Sequence, residues 1–143
     1  MAIVHLLVVD DFRLWRDCIK LHLEGHPHLR IAGFASDGFE ALQKVGELQP
    51  DLVLLDISLP KLNGFETARK IRRLAPDCKI IFLTGHSCSE MVRGALEAGA
   101  SGYVHKEDAM AELLVSLEAV IAGRQYLSDS VRDISGVTRI SPR

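Results

Sequence analysis

The sequence predicts an α/β domain with a doubly wound, five-stranded parallel sheet, and three observations lead there. Short apolar runs alternate with segments of helical period five times along the 143 residues, the pattern of a parallel sheet covered by helices on both faces. The runs LVLL and KIIFL are apolar without interruption, as strands buried on both sides are. Four of the runs end on polar residues: Asp10 and Asp11 after VHLLVV, Asp56 after DLVLL, Thr84 after KIIFL, and Lys106 after GYVH.

Taken in order, residues 3 to 9 form the first strand, short, apolar and closed by the aspartates. Residues 13 to 24 form the first helix, with Leu14, Cys18 and Leu21 on one stripe, Trp15, Ile19 and Leu23 widening it, and Gly25 as its stop. Residues 29 to 34, 52 to 55, 79 to 83 and 102 to 104 supply the other strands. Helices over 39 to 48, 64 to 74, 89 to 98 and 109 to 122 alternate with them, and Gly99 and Gly123 close the last two. The basic cluster Arg69, Lys70, Arg72 and Arg73 is interleaved with Ala68, Ile71 and Leu74, so it reads as a solvated helix face. After Gly123 the last twenty residues hold four arginines against two aspartates, with Ser, Gly and Pro interspersed. They have too few apolar residues for a second core. Residues 1 to 124 are therefore read as the domain and 125 to 143 as a linker, with a short helix near residues 128 to 133.

A chain of this length is one domain, able to bury roughly two-thirds of its unfolded surface. No apolar run approaches the roughly 20 residues of a spanning helix, and the N-terminus lacks a signal-peptide layout, so a cytoplasmic chain with no membrane partner is expected. Cys18, Cys78 and Cys88 are odd in number and lack CxxC spacing, which argues against a disulfide framework or a zinc site. A formal charge of −2 gives no broad electrostatic reason to bind nucleic acid.

In an open parallel sheet the C-terminal strand ends share one edge, and ligands bind in the crevice there. Three carboxylates, a hydroxyl and an ammonium would meet in that crevice, a composition suited to a divalent metal and a phosphoryl group. Asp56 is the candidate nucleophile, since a carboxylate attacks phosphorus when the donor is activated and charge is neutralised. Crowded carboxylates raise one another's pKa, and a hard cation with oxygen ligands, Mg²⁺ or Mn²⁺, relieves this. Asp11 and Asp56 would bind it directly, Asp10 through a water, and Ser58 by its backbone carbonyl. Lys106 would meet a phosphate oxygen as a point charge. Thr84 and the following Gly85 offer a hydroxyl and an unhindered N–H. Paired aspartates after a strand can also simply cap a helix, but the joint placement at four strand ends favours a site.

The motifs VVDD, PDLVLLDISLP, NGFE, FLTG, ALEAGASGYVHK and AGRQYLS resemble the receiver domain of bacterial two-component response regulators, from about Val4 to Leu127. HPHLRIAGFASDGFEAL and GALEAGASGYVHK are most similar to the NarL/FixJ branch, whose output is a LuxR-type helix-turn-helix. The resemblance implies a flavodoxin-like sheet of strand order 2-1-3-4-5 with five helices. It implies a phosphoacceptor switch rather than an enzyme with a turned-over substrate: Asp56 takes a phosphoryl group from a sensor histidine kinase and loses it slowly. Thr84 moves towards that group, and Tyr103 matches the family's switch aromatic. Ser58 and His86, two beyond the acceptor and two beyond the threonine, stand where phosphoryl lifetime is tuned. The surface from 86 to 122 or the first helix would govern homodimerisation. The branch continues past YLS into a DNA-binding domain, and ISPR reads as the threshold of one absent from this chain, so DNA contact is expected only through that domain.

Glu107 stands where the family commonly has proline, so a cis peptide is not expected there. Leu59 replaces a frequent methionine at little cost in volume. Two alternatives stand beside this reading. One is a stand-alone receiver working only by protein contacts. The other is a phosphohydrolase with Asp10 as nucleophile, disfavoured because VDDFRL departs from a DxDxT pattern. No GxGxxG or GxxxxGK[ST] follows any strand, which argues against a nucleotide-binding enzyme.

Overall fold

The computed structural model describes residues 2–135. In chain order the elements are β1 (Val4–Val9), α1 (Arg13–Leu23), β2 (Leu29–Ala35), α2 (Gly38–Leu48), β3 (Leu52–Leu55), α3 (Gly64–Leu74), β4 (Lys79–Thr84), α4 (Ser89–Glu97), β5 (Gly102–His105), α5 (Ala109–Ile121), β6 (Tyr126–Leu127) and α6 (Asp129–Ser135). A single 3₁₀ turn, Lys106–Asp108, joins β5 to α5, and the Lys106–Glu107 bond is trans. Strand order is β2-β1-β3-β4-β5-β6, and every pairing is parallel.

Among the described residues the expected count of five strands and five helices is corrected to six and six. The added strand has a physical origin at the edge of β5. Ser101 and Tyr103 carbonyls there accept the Tyr126 and Ser128 amides at 3.0 and 2.9 Å, and Leu127 and Val131 enter the core beside Tyr103. Residues 126 to 132, read from composition as linker, thus lie on the sheet. Two strand residues are too few to show a period of two in sequence. The short helix expected near residues 128 to 133 is α6. The remainder of the expected linker, 136 to 143, lies outside the described residues.

Alternating strand residues face two helical layers. Leu7, Val9, Val53, Leu55, Ile80 and Phe82 pack under α2, α3, α4 and α6. Leu6, Val8, Leu52, Leu54, Ile81 and Leu83 pack under α1 and α5. The stripe that α1 buries is Trp15, Ile19 and Leu23, whereas Leu14 and Leu21 are 60% and 68% exposed, which corrects the main stripe expected for that helix. Both stripes have helical spacing, and only the position of the sheet selects between them. On α3, Arg72 is more than a solvated face, because its guanidinium donates to the Pro76 and Cys78 carbonyls at 2.8 and 3.3 Å. Cys78 is buried and Cys88 exposed.

The turn after β3 is tightened by a glycine that has no alternative. A Cβ on Gly64 would lie 2.3 Å from the Asp56 carbonyl oxygen and 2.6 Å from Ile57 Cα. The start of α3 therefore presses directly on the backbone that carries Asp56, with Asn63 capping the helix by accepting the Glu66 amide at 3.0 Å.

Candidate functional site

The register of the sheet brings the strand ends together. Val9 pairs with Leu55, Leu55 with Phe82, and Thr84 with His105. Asp10, Asp56, Thr84 and Lys106 consequently emerge along one edge. One carboxylate oxygen from each of Asp10, Asp11 and Asp56 lies within 4.8 Å of the others. Asp10 and Asp56 are buried and Asp11 is exposed.

Lys106 enters the acidic cluster. Its Nζ is 2.8 Å from Asp10 Oδ2 and 3.2 Å from Asp56 Oδ2. Asp10 Oδ1 accepts the Phe12 amide at 2.9 Å. Burial raises the Asp10 pKa above the ordinary 3.8, and the neighbouring Asp56 charge adds to it, against the Lys106 ion pair and the Phe12 amide, which pull the other way. Burial thus outweighs the ammonium and the amide at this carboxylate. The aspartates do not act as a cap for α1, whose N-cap position is Phe12 without a side-chain bond. Three hard oxygen donors this close together fit a divalent cation of the Mg²⁺ class.

Thr84 is fully buried, and its Oγ1 accepts only a long 3.5 Å bond from the His86 amide. Ser58 and His86 are brought together at the mouth, Oγ to Nε2 2.5 Å. The Ser58 amide reaches Asp56 Oδ1 at 3.4 Å. Tyr103 is buried, with its hydroxyl donating to the His86 carbonyl at 2.7 Å. Burial, with the nearby Cys88 and Asp56 adding to it, pushes this phenol well up, so it remains a donor. Within the segment from 86 to 122 expected to govern homodimerisation, Val92, Ala95 and Leu117 are core and Ile121 is 40% exposed.

Three residues near the site were not singled out from the sequence. His105 Nδ1 accepts the Glu107 amide at 3.0 Å, which leaves Nε2–H to donate to the Gly85 carbonyl at 3.1 Å. Its own amide donates to Ser128 Oγ at 2.9 Å. Ser128 Oγ in turn donates to Asp108 Oδ2 at 2.7 Å, where Ser130 Oγ and the Ser130 amide also converge, at 2.7 and 3.1 Å. Burial alone would raise Asp108, but the bonds from Ser128 and Ser130, with His105 nearby, hold it below 3.8. A polar ring next to Lys106 at a strand end was the available signal for His105. Ser128 and Asp108 gave none, because their bonds run between elements.

A doubly wound parallel sheet with an acidic trio and a lysine at its strand ends defines the class of receiver-like α/β domains. The chain belongs to the response regulator receiver domain family, whose model matches residues 6–118. It is 34% identical over 140 residues to the response regulator GacA of Pseudomonas viridiflava, covering 98% of this chain and 65% of that protein. To the response regulator UvrY of Escherichia coli K12 it is 33% identical over 139 residues, covering 97% and 64%. Among solved structures it is similar to a LuxR-family two-component response regulator from Aurantimonas sp. SI85-9A1, with 33% identity, TM-score 0.90, and coverage of 98% of this chain and 100% of that one. These relatives support the NarL/FixJ branch expected from the motifs. The chain spans just under two-thirds of the length of the curated relatives. Among the described residues no helix is long and apolar enough to cross a membrane.

Proposed function

We propose that this chain is a phosphorylation-controlled switch of a two-component system, with Asp56 as its acceptor. The observation that carries the reading is the Lys106 ammonium lodged between Asp10 and Asp56, with Asp11 completing a trio of carboxylates. An Asp56 oxygen attacks the phosphorus of a phosphohistidine on a sensor kinase. The P–O bond forms as the P–N bond breaks, and the imidazole leaves with a proton. Asp11, Asp56 and the Ser58 carbonyl would hold Mg²⁺ directly, with Asp10 behind a water. When bound, the ion supplies the charge neutralisation that lets an anionic donor approach a carboxylate. Lys106 then turns from the carboxylates to a phosphoryl oxygen, and Thr84, poorly engaged in its present position, gains a stronger acceptor there.

Movement of Thr84 pulls on the 85–86 backbone, to which Tyr103 and His105 are bonded. That is the differential contact a two-state switch requires. The Ser58–His86 bond lies where water would approach the acyl phosphate, which makes this pair the lifetime control. The likeness to GacA, UvrY and the LuxR-family structure supports a transcriptional output in the cytoplasm, through a DNA-binding domain that would follow the residues after α6, with homodimerisation on phosphorylation.

The test is intact mass after incubation with acetyl phosphate, with and without Mg²⁺, for the natural chain and Asp56→Asn. One Mg²⁺-dependent phosphoryl adduct, absent from the variant, is expected. An adduct persisting in Asp56→Asn removes the assignment of the acceptor. No adduct on the natural chain removes the phosphoacceptor reading itself.

A further inference from the structure

The ammonium of Lys106 has a third neighbour besides its two carboxylates. It stands 5.0 Å from the centroid of the Trp15 ring, on the first turn of α1, and the lysine side chain is only 14% exposed. Trp15 is the single tryptophan of the chain. It is half-buried against the core under α1 and α5. Its place is fixed from both sides. The Arg16 guanidinium donates to the Asp10 carbonyl at 2.8 Å, and the Trp15 amide donates to Phe12 at 3.0 Å, so the first turn of α1 is tied to the backbone that presents the acidic cluster.

We infer that Trp15 is a positioning residue for phosphoryl transfer, its indole face steering the Lys106 ammonium. This rests on the phosphoacceptor reading above and extends it to a residue on another element. The chemistry of the ring suits the task. A largely desolvated ammonium needs a partner on each side, and a third carboxylate would supply one at the expense of further negative charge where an anion must enter. The quadrupole of an indole attracts the cation without adding net charge and without an acceptor atom that would hold it. The ammonium is thus kept in the pocket when the carboxylates are given over to a metal, and is released to a phosphoryl oxygen, a far stronger partner. A Leu at position 15 would keep an apolar contact, in a smaller volume, and leave that side of the cation without an electrostatic partner.

Two measurements on the full chain test this. The first is the rate of adduct formation from acetyl phosphate at saturating Mg²⁺ for the natural chain, Trp15→Leu, Trp15→Phe, Lys106→Met and the double variant Trp15→Leu/Lys106→Met. Trp15→Leu is expected to slow the rate by roughly 2- to 30-fold, the range a cation–π contact spans, with Mg²⁺ affinity unchanged. Trp15→Phe, which keeps a ring, recovers most of the rate, and Trp15→Leu adds no further slowing in the Lys106→Met background, as coupled residues require. Equal slowing in both backgrounds, or none in either, overturns the role. The second is the NMR position of the Lys106 ε-methylene protons. A ring-current shift is expected in the natural chain and in Trp15→Phe and absent in Trp15→Leu. Its absence from the natural chain overturns the geometry, whatever the rates. A natural chain that forms no adduct but shows the shift removes the phosphoacceptor reading and leaves the ion–ring contact as a structural one.

Discussion

Asp10 and Asp108 lie near the same edge of the sheet, one after β1 and the other after β5, and their carboxyls move in opposite directions. Burial works to raise both. At Asp108 three donors from Ser128 and Ser130 converge on one oxygen and outweigh it. At Asp10, which lies deeper, burial prevails over a lysine and one amide, and the neighbouring Asp56 charge adds to it. The difference separates a carboxylate whose hydrogen bonds are complete within the fold from one left to be completed by something arriving. The first is architecture, stitching β6 and α6 to β5. The second is suited to chemistry.

The largest effect that sharpens this contrast should come from Asp108→Ala. Stranding Ser128 and Ser130 is expected to destabilise the chain by about 1–3 kcal/mol in urea unfolding, with the gain on adding Mg²⁺ untouched. An altered metal response would break the division between the two regions. Next comes the metal itself. At ten times its Kd, Mg²⁺ should stabilise the natural chain by about 1.4 kcal/mol, and Asp10→Asn should lose most of that gain while unfolding at higher temperature than the natural chain in metal-free buffer. A variant less stable than the natural chain without metal would mean that Asp10 is already satisfied.

Acid unfolding gives a smaller and signed comparison. The folded pKa of Asp108 is depressed, so its stabilisation is complete above about pH 3.8 and is lost as pH falls through the folded value. The folded pKa of Asp10 is raised, so protonation favours the folded state as pH drops through that value. Stability measured between about pH 5 and 3 should therefore fall less steeply in Asp108→Asn and more steeply in Asp10→Asn. Slopes moving together would refute the assignment. The smallest effect belongs to Ser130→Ala, about 0.5–1.5 kcal/mol for one hydrogen bond among three, read in the same urea experiment.

Much of the acidic region was legible because it follows from one rule, that parallel strands end on a common edge. Asp10, Asp56, Thr84 and Lys106 needed only their place after an apolar run. The β6 edge and its polar ties were not legible, since Tyr126 and Leu127 are two residues without a period and Ser128 bonds to His105 and Asp108 on other elements. The buried stripe of α1 failed for a different reason. Leu14, Cys18 and Leu21 are as helical in spacing as Trp15, Ile19 and Leu23, and only the orientation of the helix over the sheet decides between them. The Trp15–Lys106 contact inherits that ambiguity, because a tryptophan assigned to the edge of a stripe gives no hint of an ammonium above its ring.

The two-residue β6 also gives the sheet a weakest seam under load. A pull on the chain beyond Leu127, directed away from β5, would strain the Ser128 and then the Tyr126 amide one after the other, as tape peels, whereas β1 sits between two neighbours and would have to shear from both together. A single-molecule pulling trace should accordingly show a small early extension before the main rupture. Tension applied from the C-terminal side would then be dissipated at the rim, as by a fuse, leaving β3 and its aspartate undisturbed.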